Sequence, residues 1–312
     1  MFSASEIEEG INGQPKISLK SFDGTHTCDI YLYGCTVTSW RHAGAEKLFC
    51  SPITPFNGVA AIRGGIPVVF PQFGRPDEIM PQHGFARTSN WTIDNIVATD
   101  SSCTVQFTLM DNESTRAVWP HSFLLTYSVS LSITGLRTTV HALNTGASPF
   151  QCQALLHTYI AVPKIEDVQV KGFEGMSVID KMAPHSGSEL PVDARELATI
   201  DREVDRIYVD VGTAVNTEGD EFTLPSVIVL DGTTEVLKVQ RKAYIKTAES
   251  KDVQSLPTDC VLWNAWIDKT KAIGDLEDDA YLRYICVEPG VCSRFETVAP
   301  GQTMVLDQFL TV

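Results

Sequence analysis

Four short segments hold residue types suited to proton transfer on a small polar ligand. His157 lies inside the apolar run FQCQALLHTYIAV (150–162), and Glu288 sits in AYLRYICVEPGVCSRF (280–295) just before Pro289-Gly290. A carboxylate at the close of a buried strand is costly unless paired or hydrogen-bonded, so Glu288 is a functional candidate. An exposed Glu at a strand end is the plainer alternative. Imidazole titrates near pH ~6.5 and a neighbouring carboxylate can move it, so His157 is a candidate proton donor. Taken alone, it reads first as a core histidine satisfied by a carbonyl.

The other two segments are cationic and polar. AAIRGGIPVVFPQFGR (60–75) places Arg63 beside Gly64-Gly65, followed by Pro67 and Pro71. A guanidinium next to a flexible backbone can grip a phosphate through two parallel hydrogen bonds. By itself this is a surface arginine at a turn. PQHGFARTSNW (81–91) gathers Gln82, His83 and Arg87 around one glycine. Gln82 is suited to sugar hydroxyls and Arg87 to a second phosphate contact, while His83 either touches a ligand or fills a turn. Two weaker segments are EVDRIY (203–208), with Asp205 beside Arg206, and WNAWIDK (263–269), with Trp263 and Trp266. Mixed charge is usually a solvated ion pair, and Trp is more often core than sugar platform.

The elements that must position these residues are mostly strands. Residues 123–131 alternate Phe123, Leu125, Tyr127, Val129 and Leu131 with Leu124, Thr126, Ser128 and Ser130, the pattern of a half-buried antiparallel strand. Similar runs occur at 27–33, 91–98, 103–110, 136–143, 222–230, 234–239 and 303–311, separated by turn signals such as Asn144-Thr-Gly146 and Asp231-Gly232. Residues 192–207 are the best helical stretch and read as one or two short turns. Residues 172–192, rich in Gly, Ser and Met, read as a surface excursion. The expectation is an all-β chain, a large antiparallel sandwich with few short helices, forming one domain over 1–312.

Bulk properties narrow the function. Lys plus Arg number 24 against 39 Asp plus Glu, a net charge of −15, which argues against a polyanion such as nucleic acid as partner but leaves room for a small anion in a local cationic pocket. The eight cysteines (28, 35, 50, 103, 152, 260, 286 and 292) form no C-x-x-C pair, so neither a zinc site nor a disulfide framework is expected. Cys152 and Cys286 fall in apolar strand-like runs. The first residues lack the features of a secretory signal, and no run of about 18 apolar residues exists, so a reduced cytoplasmic protein away from the membrane is expected. Nothing in the sequence suggests an oligomer, and a monomer is expected.

In order along the chain, IRGGIPVVFPQFG (62–74), QHGFAR (82–87), WPHSF (119–123), LLHTYI (155–160), DRIY (205–208), WNAW (263–266) and VEPG (287–290) resemble the aldose 1-epimerase superfamily. The nearer likeness is to its phosphorylated-sugar branch, the hexose-6-phosphate mutarotases. The resemblance spans roughly 60 to 290. It implies a galactose-mutarotase-type supersandwich, a catalytic pair at His157 and Glu288, and substrate-binding positions at Arg63, Gln82, Arg87 and Asp205. Trp119 and Phe123 look like packing residues.

The implied reaction exchanges α and β anomers of a hexose 6-phosphate, with Glu288 taking the C1 hydroxyl proton and His157 protonating the ring oxygen. No cofactor or metal is expected for it. The alternatives are an epimerase of free aldoses and a non-catalytic sugar-phosphate-binding module. A glycosidase is a further one, disfavoured because it would place a second carboxyl group where His157 stands.

Overall fold

Alternation of apolar and hydroxyl-bearing residues over 123–131 becomes strand Phe123–Ser132, whose burial alternates at every residue. In the computed structural model, residues 1–183, 185–210, 222, 225–247 and 253–312 are described. The runs read from sequence form strands Thr27–Tyr31, Thr92–Ala98, Ser102–Met110, Leu136–Asn144, Thr234–Thr247 and Gln302–Thr311. Only Val227–Asp231 forms from the run at 222–230, part of which lies outside the described residues.

Among the described residues the strands make three antiparallel sheets. A ten-stranded sheet runs from Leu197–Thr199 to Thr92–Ala98 through the long central pair Thr234–Thr247 and Gln302–Thr311. A seven-stranded sheet orders Ser177–Asp180, Val204–Val209, Asp259–Asn264, Tyr284–Val298, Phe150–Leu156 and Val68–Val69, with Tyr159–Ala161 also pairing Tyr284–Val298. A six-stranded sheet comprises N-terminal strands between Phe2 and Glu46. One apolar cluster, including Trp40, Phe70, Trp91, Phe107, Trp119 and Phe123, links all three. Trp119 and Phe123 are packing residues: Phe123 stacks on Phe85, and Trp119 meets Phe70 edge-on and Phe150 at a tilt. No helix among the described residues is long and apolar enough to cross a membrane.

Three local expectations are corrected. Residues 192–207 form no helix. Leu197–Thr199 and Val204–Val209 are strands whose backbone groups pair with Val168–Lys171 and Asp259–Asn264. Leu197, Ile200, Val204 and Ile207 have helical spacing, but tertiary pairing outweighs weak local propensity. The stretch 172–192 is not wholly a surface excursion, since Phe173 is buried and stacks on Tyr208 with centroids 3.8 Å apart. Glu288 does not end its strand, which continues through Pro289-Gly290 to Val298.

Gly64 and Gly65 are required by their surroundings. Both have positive φ, and a Cβ on Gly65 would lie 1.9 Å from the Val37 carbonyl oxygen. Gly65→Ala is therefore expected to cost about 2 kcal/mol or more, read as a lower urea midpoint. An unchanged midpoint would show that the Val37 strand yields without strain.

Candidate active site

The seven-stranded sheet brings the candidate residues into two cross-strand rows. Leu155 pairs with Gly290 and Tyr159 with Cys286, a register that puts His157 opposite Glu288. Glu288 pairs in turn with Val261, and Val261 with Ile207. The neighbouring row contains Asp205, Trp263, Cys286 and Tyr159. Residues two apart on a strand share a face, so both rows face the same side.

A cavity of about 250 Å³ lies on that face, lined by Arg63, Gln82, His157, Asp205, Trp263 and Glu288 among others. Its size suits one small ring, being just under the ~300–1,000 Å³ of pockets for larger ligands. A larger cavity of about 580 Å³, bordered by Lys171, Glu174, Met176 and Arg241, contains no imidazole and none of the candidate residues.

His157 Nδ1 stands 3.2 Å from Glu288 Oε1, and both side chains are buried. The contact is not aligned as a hydrogen bond. Among the described residues, His157 Nδ1 and Glu288 Oε2 have no hydrogen-bond partner. Packing sets the imidazole plane: it stacks on Tyr159 (4.8 Å, 9°) and meets the edges of Trp263 and His83. Burial first, then the positive charges of Arg87 and Arg63, pushes His157 well below the usual histidine range. Burial, followed by the negative charge of Asp205, raises Glu288 well above the carboxylate range, while Lys181 and Arg87 oppose that rise. The resting site thus favours a neutral imidazole beside a neutral carboxyl group.

The loop after Val68–Val69 forms the opposite wall. Gln153 Oε1 accepts from the Phe73 backbone N–H at 2.8 Å, and His83 Nδ1 accepts from that of Gly74 at 3.1 Å. His83 therefore clamps this loop as well as lining the cavity, so both readings of it hold. Gln82 is exposed at the mouth.

The two arginines differ. Arg63 lines the cavity and donates through Nε to Asp275 Oδ1 at 3.0 Å. Arg87 is not part of the lining. It stands behind Gln82, donating to the Gln82 carbonyl at 2.8 Å. Its Nε is buried without a partner, and no carboxylate among the described residues pairs with it. Burial and then Arg63 pull its pKa down to about 10.

Asp205 is paired with Lys181 at 3.0 Å, and the Lys181 ammonium also lies 4.7 Å over the Phe73 ring. Adjacent Arg206 instead pairs with Asp180 at 2.7 Å, as alternation along a strand requires. Trp263 lines the cavity, whereas Trp266 opens helix Trp266–Ala272 and packs on Tyr281. Sequence reasoning missed Lys181 and Asp275, and it noted the WNAWIDK segment without singling out Lys269. Lys181 and Asp275 lie in stretches with the composition of solvated loops, and only long-range folding brings them here.

The sequence profile of the aldose 1-epimerase family matches residues 15–309. The chain belongs to the aldose 1-epimerase family. A relative from Cenchrus ciliaris named "Putative glucose-6-phosphate 1-epimerase" is 33% identical over 309 residues, covering 96% of this chain and 84% of the relative. One of the same name from Escherichia coli is 28% identical over 283 residues, covering 90% and 85%. A solved structure described as a "putative mutarotase" from Salmonella typhimurium superposes with TM-score 0.75 at 23% identity, covering 98% of this chain and 96% of that one. The galactose-mutarotase-like all-β fold is thus the family's, and the chain is an isomerase with mutarotase activity.

Proposed function

We propose that this epimerase interconverts the α and β anomers of a hexose 6-phosphate, glucose 6-phosphate above all. One observation supports the reading: among the described residues a partly buried guanidinium, Arg87, has no acidic partner beside a cavity that holds an imidazole–carboxyl pair. A buried charge without a counter-charge is costly, and a phosphate at that end would offset the cost for Arg87 and engage Arg63. The names of both curated relatives specify the same phosphorylated sugar.

Ring opening removes the proton from the C1 hydroxyl and delivers one to the ring oxygen. Glu288 takes the first as carboxylate, and His157 gives the second as imidazolium. The free aldehyde turns about its C1–C2 bond, and closure on the other face returns both protons. The charged form of the pair is disfavoured in the empty site, partly because Arg87 and Arg63 act on His157. A bound phosphate offsets that field and so eases protonation of His157, while Lys181, paired with Asp205, still favours the Glu288 carboxylate. Asp205, 3.0 Å from Lys181 on the same wall, accepts from sugar hydroxyls. The eight cysteines are unpaired, which fits a reducing cytoplasm.

Exchange NMR of the anomeric protons of glucose 6-phosphate, with and without the protein, tests the activity. Arg87→Ala is expected to raise KM for glucose 6-phosphate by about 10- to 100-fold, the worth of one charge-assisted contact, while leaving exchange of free glucose little changed. An unaltered preference between the two sugars would sink the phosphate assignment and favour a free-aldose epimerase.

A further inference from the structure

The sheet register that sets His157 against Glu288 also brings a thiol to them. Cys286 precedes Glu288 by two residues on one strand and pairs with Tyr159, two residues beyond His157. The ligating atoms of His157, Cys286 and Glu288 all lie within 4.8 Å of one another, and all three residues are buried. Two of the available atoms, His157 Nδ1 and Glu288 Oε2, have no hydrogen-bond partner among the described residues.

The spacing suits a tetrahedral ion. Ligands bound at ~2.0–2.1 Å sit about 3.3 Å apart, and the imidazole–carboxyl separation is already 3.2 Å. The thiol lies at most 4.8 Å from each partner, so reaching the ~3.5 Å that separates a thiolate from a neighbouring ligand on one tetrahedral ion takes a shift of no more than about 1.3 Å, within the reach of a χ1 adjustment. An imidazole, a thiolate and a carboxylate together select zinc-like ions over magnesium or calcium.

We propose that His157, Cys286 and Glu288 form a latent site for a thiophilic divalent ion of the zinc class, which blocks the epimerase by occupying both of its proton carriers. The blockade rests on the acid–base reading above, whereas the metal site does not. His157 and Glu288 line the cavity, so the ion enters where the sugar does and leaves a fourth position facing that space. As the sulfur–metal bond forms, the thiol proton passes to solvent, as does any proton on Glu288, and no electron is transferred. The ion is an inhibitor here and not a cofactor, since it holds the lone pairs that proton transfer needs.

The test adds zinc, and separately cadmium as a spectroscopic probe, to metal-free protein. The expected result is a saturable ultraviolet thiolate-to-cadmium band at one ion per chain. Zinc should slow anomer exchange, and a chelator should restore it. In Cys286→Ala the band should vanish, and half-inhibition should need at least about tenfold more zinc, judged against that variant's own metal-free rate. Cys286→Ser, closer in shape, is the second variant. Cys50→Ser, at a partly exposed thiol, should keep both the band and the sensitivity. Wild-type sensitivity in the Cys286 variants, or a band lost with Cys50 instead, would overturn the site. If metal-free wild-type protein exchanged no anomers, the functional reading would fail, while the band and its loss would still decide the metal site.

Discussion

Replacing His157 by Asn is expected to slow anomer exchange of glucose 6-phosphate by about 100- to 10,000-fold, the usual worth of one positioned general acid. Asn keeps a polar group but cannot carry a proton to the ring oxygen. The fold should survive. The backbone N–H of His157 still donates to the Pro67 carbonyl at 3.0 Å, and the lost imidazole nitrogen Nδ1 has no hydrogen-bond partner to abandon. The stacking on Tyr159 is lost, a packing cost of about 1 kcal/mol. KM should change less than kcat, because the cationic contacts are untouched. Exchange NMR reads the rate and near-ultraviolet circular dichroism the packing. Wild-type exchange in a folded His157→Asn protein would remove the imidazole from the mechanism.

Glu288→Gln is expected to have an effect of the same order, about 100- to 10,000-fold on kcat, for a complementary reason. The amide has the carboxylate's shape but no basicity. It stays at the centre of a sheet where Val261 flanks it on one side and His157 on the other. The new amide also faces His157 Nδ1, now 3.2 Å from Oε1, and would donate to it, fixing the imidazole in one tautomer. The double variant should be hardly slower than either single one, since both remove the same coupled proton transfer. Multiplicative losses would mean that the two groups act in separate steps and would refute the paired mechanism.

Much of this site was legible in the sequence, and the reasons are local. Alternation with a period of two identified strands such as Phe123–Ser132 and Leu136–Asn144, because each has one face in the core and one against solvent. The all-β class and the family followed from such runs and from short motifs in order. The helical spacing of 192–207 misled for the same reason: a pattern of side chains does not say which partner the backbone will find. His157 and Glu288 were visible as polar residues embedded in apolar runs, where a titratable group is expensive.

The residue string thus supplied an inventory: which residues can carry protons, which carry positive charge, and which stretches must be strands. The partnerships among them came from folding. Strand register set His157 against Glu288 across 131 positions of chain and placed Cys286 beside them. Long-range packing gave Arg63 a carboxylate, Asp275, and gave Arg87 none among the described residues, a difference that no local feature of the two arginines foretells. Burial and nearby charges set the charge state of a titratable group, so it answers to its neighbours in space, and those neighbours come from strands far apart in the chain.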